Sequence, residues 1–256
     1  MLLCSVRDCR EPLLREEMRL VCSRGHSFDV ARSGYVNLLQ PQDRRSRQPG
    51  DTKAAVAARR RLHDSGVTAP LLSAIAESVA ASAGDIVLDA GCGDGFYLGS
   101  LGQITGCSAH GVDISTPAID VAARRYPEAE WVVANADRFL PYPDGCFSRL
   151  ISITARMNPP EFRRVLRDDG RLLIAIPSPR DLAELRGSGK DRVPRTVAEF
   201  AARFALDGQT QVTAATALSE QQLQDVLLSI YRPLQPQAPK AMKVTFSLDL
   251  LVFRPL

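Results

Sequence analysis

With 256 residues, 45% of them apolar and 24% charged, the chain has room for one substantial α/β domain and a small appendage, and its composition is that of ordinary globular proteins. No apolar run approaches the length needed to cross a bilayer, which argues against a membrane-spanning helix. The formal net charge is only +3, yet residues 1–70 hold 13 Lys or Arg against 8 Asp or Glu, so the positive charge sits in the N-terminal quarter. Such a quarter suits attraction to phosphate, and equally a merely solvated arginine-rich surface.

Residues 1–42 are short, turn-rich and cysteine-bearing. Three of the six cysteines fall within the first 22 residues. In a reduced compartment such clustering points to metal rather than disulfides. Cys4, Cys9, Cys22 and His26 give the pattern C-x4-C, twelve residues, C-x3-H, a donor set that suits tetrahedral zinc. Gly25 lets the second knuckle bend sharply. A segment this small buries too little apolar surface to fold securely alone, so a metal staple has a structural purpose. Four protein ligands leave no open position, and the expected zinc is structural. Cys4 lies too early for an export signal to precede it, and a cytoplasmic location is expected. Cys92, Cys107 and Cys146 read as small buried apolar residues.

Residues 43–68 form a basic linker and a helix over about Ala54–His63. Arg44, Arg45, Arg47, Arg59, Arg60 and Arg61 are the candidates for phosphate contact, with a solvated helix face as the alternative. From 69 onward short β-branched runs alternate with amphipathic stretches, which predicts a mostly parallel sheet covered by helices, an α/β fold. The expected strands are Asp85–Ala90, Ala109–Ile114, Trp131–Asn135, Leu150–Ala155 and Arg171–Ile176. Gln211–Thr216 and Lys243–Phe253 flank a helix over Ser219–Ile230 and are expected to close the sheet with an antiparallel edge.

The first of these strands runs into Asp89-Ala90-Gly91-Cys92-Gly93-Asp94-Gly95. A dinucleotide fingerprint needs G-x-G-x-x-G. Here the glycines read G-x-G-x-G, and Phe96 stands where the third would fall. That spacing, with Asp89 ahead of it, favours S-adenosylmethionine over a nicotinamide dinucleotide. The cofactor-binding set is Asp89, Gly91, Gly93, Asp94, Gly95, Asp113 and Asp137. Asp89 accepts from the cofactor's amino group or holds the loop, Asp113 accepts both ribose hydroxyls, and Asp137 meets the adenine amino group. All three of those acids fall at C-terminal strand ends, the edge where open α/β sheets bind ligands. Asn158-Pro159-Pro160 has the first three residues of an amino-methyltransferase motif, but Glu161 replaces the aromatic ring. A helix start capped by Asn158, with Glu161 as capping-box partner, is the preferred reading. No residue is fixed as a general base.

These pieces resemble the bacterial 23S ribosomal RNA guanine-N1 methyltransferases, a family with a macrolide-resistance branch. The resemblance runs from Cys4 to about Pro177. It is carried by Cys22-x3-His26-Ser27-Phe28-Asp29, Gly34-Tyr35-Val36-Asn37-Leu38-Leu39 and Arg45-Ser46-Arg47-x-Pro49-Gly50-Asp51, by Ala58-Arg59-Arg60 through Asp64-x-Gly66, by the Asp89–Gly95 loop, and by Asn158-Pro159-Pro160-Glu161-Phe162. It implies a class I methyltransferase domain over 69–256 behind a zinc module, methylation of guanine N1 in a ribosomal RNA hairpin, and a homodimer with a basic cleft. The first knuckle is wider than the usual C-x2-C. Thr68 and Asp181 stand where relatives have an aromatic residue and a histidine, and the C-terminal segment lacks a Trp-containing stretch. A small-molecule methyltransferase and a non-catalytic RNA-binding factor are the competing readings. Steeply salt-dependent RNA binding opposes the first, and cofactor binding opposes the second.

Overall fold

The computed structural model describes residues 1–43, 49–230 and 240–256. The chain opens with a three-stranded antiparallel sheet, β1 (Leu13–Glu16), β2 (Arg19–Cys22) and β3 (Ser27–Asp29). Arg19 pairs with Glu16, which leaves a two-residue turn with Glu17 at φ 54°. The next strand, β4 (Val36–Asn37), leaves this small sheet and joins the large one.

The large sheet comprises β4 with β5 (Ile86–Ala90), β6 (Ser108–Asp113), β7 (Glu130–Val133), β8 (Phe147–Ile153), β9 (Leu166–Pro177), β10 (Phe204–Leu218) and β11 (Met242–Pro255). Its order is β10-β11-β9-β8-β5-β6-β7-β4. The strand order reverses at β5, whose neighbours are β6 and β8, and that reversal places a crevice beyond its C-terminal end. The helices are α1 (Lys53–Asp64), α2 (Ala69–Val79), α3 (Phe96–Thr105), α4 (Thr116–Arg125), α5 (Pro159–Val165), α6 (Ala183–Arg186), α7 (Val193–Phe200) and α8 (Glu220–Ser229).

The sheet separates two cores. Alternate residues of β8 and β9 face opposite ways, as the two-residue period requires. Ile151, Ile153, Leu173 and Ala175 pack with Ile75 of α2, Leu98 of α3 and Val226 of α8. Leu150, Leu172, Ile174 and Ile176 pack with Phe162 of α5, Phe200 of α7, and Leu13, Leu20 and the three N-terminal cysteines. The zinc module therefore shares the main domain's core. Its backbone is tied in as well, by Leu3 N donating to Pro141 O and Leu38 N to Val133 O.

One topological expectation is corrected. The antiparallel strand is β11, and it lies inside the sheet between β9 and β10; the edge strand β10 runs parallel to β9. Burial explains the order. Val244 through Leu251 is buried throughout, which demands covered faces on both sides. β10 carries mostly exposed or half-buried side chains and tolerates an edge.

Candidate active site and metal centre

Cys4, Cys9, Cys22 and His26 converge, with ligand atoms all within 4.8 Å of one another. Cys4 Sγ and Cys22 Sγ each lie 3.4 Å from His26 Nδ1, and Cys9 Sγ is 3.8 Å from Cys22 Sγ. Such separations suit a tetrahedron with metal–ligand bonds of about 2.0–2.3 Å. Gly25, at φ 80°, closes the second knuckle: its N–H donates to Cys22 O, and Cys22 N–H donates to His26 O. The wide first spacing is absorbed by a turn in which Cys9 N–H donates to Val6 O and Asp8 takes φ 60°. Three sulfurs and one imidazole nitrogen fit zinc, and no coordination position is left for substrate.

The glycine loop bridges β5 and α3. Gly91 sits at φ 92°, and any Cβ there would land on Ala155. Gly93, at φ 56°, faces Arg59, whose Nη1 would be 3.4 Å from an added Cβ. Asp113 braces the loop: Oδ2 accepts from Gly93 N at 2.9 Å and Oδ1 from Ser115 N at 2.7 Å. A carboxylate has about four acceptor sites, so both oxygens keep a lone pair for a ribose. Asp89 is 2% exposed, and its Oδ1 has no hydrogen-bond partner. Burial and the neighbouring Asp113 push its carboxyl well above the ordinary value. Burial also raises Asp94 and Asp113. An unpartnered acceptor in an acid-rich crevice is what the cationic amino group of S-adenosylmethionine requires, and the loop fits that cofactor.

Helix α1, expected to face RNA, turns Arg59 inward and ties the exposed Arg61 to α8. Arg59 Nη1 bonds Asp51 Oδ2 at 2.5 Å, and Nη2 donates to Ser229 O at 3.1 Å. Its charge also acts on Asp94 and Asp113. Asp51 is held in turn, because Ser115 Oγ donates to Asp51 O and Gly50 presses on Ser115 so closely that a Cβ would clash. Arg61 forks onto buried Asp225 of α8. Arg60 pairs with Asp64 at 3.6 Å. Arg44, Arg45 and Arg47 lie outside the described residues. His63 stacks flat on Phe96, centroids 3.9 Å apart, and its Nδ1 meets Thr68 Oγ1 at 2.8 Å. The ring that replaces a dinucleotide-type glycine thus pins α1 to α3. Asp51, Arg59 and His63 were not anticipated beside the cofactor loop; the Gly50-Asp51 pair before a helix was the signal available.

Asp137 Oδ2 accepts from Arg156 Nη1 at 3.4 Å. Asn158 caps α5, accepting from Glu161 N, and its amide donates to Ala136 O at 3.0 Å. The cap reading holds, but the capping box does not form. Glu161 instead accepts from Leu140 N and pairs with Arg164.

Comparison with known proteins agrees with this arrangement. Residues 3–47 match a zinc-ribbon model described as "RlmA, N-terminal", and residues 87–174 match a model described as "Methyltransferase domain". The chain is 41% identical over 182 residues to the 23S rRNA (guanine(748)-N(1))-methyltransferase of Streptomyces fradiae, covering 69% of this chain and 64% of that one. A Micromonospora griseorubida protein, provisionally named a 23S rRNA (guanine-N(1)-)-methyltransferase, is 36% identical over 198 residues, 69% of this chain and 66% of its own. The chain thus spans just under two thirds of the length of these relatives. Among solved structures, the [4+2]-cyclase SpnF superposes with TM-score 0.51 at 18% identity, covering 72% of this chain and 80% of that one. That a cyclase has this fold means the fold alone does not carry the reaction. The chain thus carries a zinc ribbon of the RlmA N-terminal type ahead of a class I S-adenosylmethionine-dependent methyltransferase domain, and it is similar in sequence to proteins named as 23S rRNA (guanine-N1)-methyltransferases.

Proposed function

We propose that the protein transfers a methyl group from S-adenosylmethionine to N1 of a guanine in a 23S ribosomal RNA hairpin. The similarity to the Streptomyces fradiae enzyme carries this reading, and the crevice beside β5 supports it. When bound, the cofactor supplies a methyl group activated by sulfonium charge. The chain's own work is then alignment, exclusion of water, and passage of the N1 proton away as N1 bonds to the methyl carbon. Asp89 takes the amino group, Asp113 the ribose hydroxyls, Asp137 the adenine amino group, and Gly91, Gly93, Asp94 and Gly95 shape the loop.

Arg59 receives a different role from the one its neighbours suggest. It is the cation that faces the loop at Gly93, and Asp51 and Ser229 hold it there. We assign it to the carboxylate of the cofactor's methionine end. Arg44, Arg45, Arg47 and Arg60 keep the reading as phosphate contacts. The proposed units are 1–42 for the zinc module, 43–68 for the linker helix and 69–256 for the catalytic domain.

A cytoplasmic location follows from the substrate and from the need to keep three metal-binding thiols reduced; no described helix is long and apolar enough to cross a membrane. A homodimer is proposed through β10, whose 15-residue edge carries a single charge, Asp207. Transfer of labelled methyl from S-adenosylmethionine to an unmodified 23S transcript tests the activity. Incorporation that disappears in Asp89→Asn is expected; label on protein or small molecules alone contradicts it.

A further inference from the structure

Beyond Pro177, at the C-terminal end of β9, the chain turns through a segment that the N-terminal charge bias conceals. Residues 180–195 carry five cations against three acids, in a part of the chain whose net charge is otherwise negative. Here a cavity of about 270 Å³ is lined by Ser178, Arg186, Gly187, Gly189, Lys190 and Arg192.

The cavity is built rather than incidental. Arg186 is held in place by Asp181, with Nη2 donating to Oδ2 at 2.7 Å and Nε to the backbone oxygen at 3.1 Å. Asp181 is anchored by accepting from Ser247 N at 3.0 Å. The turn that carries Lys190 is fixed by Gly189 N–H donating to Pro179 O at 2.7 Å, with Gly187 at φ 74°. Lys190 and Arg192 are exposed, and neither is paired with an acid among the described residues. One oriented guanidinium beside two free cations is chemistry for a compact polyvalent oxyanion.

Its position says which oxyanion. β9 lies two strands from β5 in the sheet order β9-β8-β5 and runs parallel to it, so the cavity and the cofactor loop lie beyond the same sheet edge, on strands about 10 Å apart. A base turned out of its stack to reach the crevice brings its own backbone across this edge. We propose that the cavity seats a backbone phosphate of the RNA strand beside the methylated nucleotide, gripped by Arg186, Lys190 and Arg192. This rests on the reading of the protein as an RNA methyltransferase.

The test uses the full-length zinc-loaded protein and an unmodified 23S hairpin transcript, with binding measured across a range of salt. Removing two of the three cations that hold this one phosphate, in Lys190→Gln/Arg192→Gln, should reduce the slope of log affinity against log salt by up to about 1 and weaken binding at low salt at least about tenfold. Affinity for S-adenosylhomocysteine should not change, which controls for folding. Arg171→Gln, on β9 six residues before Pro177 and so about 20 Å away, should match wild type in both measurements. A double variant with the wild-type slope, on a protein that does bind RNA, overturns the cavity assignment alone. Wild-type protein that neither binds nor methylates the transcript overturns the assignment together with the reading beneath it.

Discussion

In the proposed role, Asp89 is asked for opposite things by folding and by function. In the unfolded chain its carboxyl ionises at the ordinary value; in the fold, burial and Asp113 hold the proton on to higher pH. Stability contributed by the protonated form is therefore lost as pH rises from the unfolded value toward the folded one. Asp89→Asn removes that loss. It should raise the cofactor-free thermal midpoint at neutral pH by about 2–4 °C, while weakening S-adenosylhomocysteine binding more than about tenfold. A variant that both melts lower and binds normally contradicts the role. His63 titrates the other way. Burial first, and the charge of Arg59 second, lower its pKa from 6.5 to about 3. The neutral ring's contribution is complete above 6.5 and is lost as pH falls from there toward 3. In His63→Gln, the plot of unfolding free energy against pH should flatten over that window; an unchanged acid limb means that another group sets it.

At the level of elements, α1 is the part whose meaning the structure changed most. Its arginines read from sequence as a basic face, because a run of like residues carries no information about which partner each will meet. The acids that claim them, Asp51, Asp225 and Asp64, lie from four to 164 positions away. Arg59→Ala should weaken S-adenosylhomocysteine binding about tenfold or more but leave methylthioadenosine, which lacks the methionine carboxylate, bound as by wild type. Equal loss for both ligands in calorimetry would make Arg59 merely structural. By contrast, β5 with its glycine loop was legible, since an apolar run ending in D-x-G-x-G-x-G names both strand and turn. So was the metal quartet, because ligand type and spacing are local. The position of β11 was not: which strand takes the edge depends on pairing between segments 24 or more residues apart.

Across the whole molecule, the zinc module and the catalytic domain share one core. Cys4, Cys9 and Cys22 cluster with Leu140, Phe162 and Leu172, and β4 extends the large sheet beside β7. Removing zinc should therefore reach beyond residues 1–42. A chelator strong enough to strip the site is expected to lower the thermal midpoint of the entire protein by about 10 °C or more and to expose the amides of β7 to hydrogen exchange. A catalytic domain that melts unchanged would mean that the module is an appendage. In the proposed reading, the inward-turned Arg59 and the basic cavity beyond β9 serve one crevice, with the donor at the glycine loop and cations along the rim for a polyanionic acceptor. Mapping the modified position on 23S RNA by reverse transcription tests that account most directly. It predicts a block to extension at a single guanine, where a methyl on N1 removes the donor needed for pairing, and no block when cofactor is withheld. A methyl found instead on a ribose hydroxyl or on another base would contradict it.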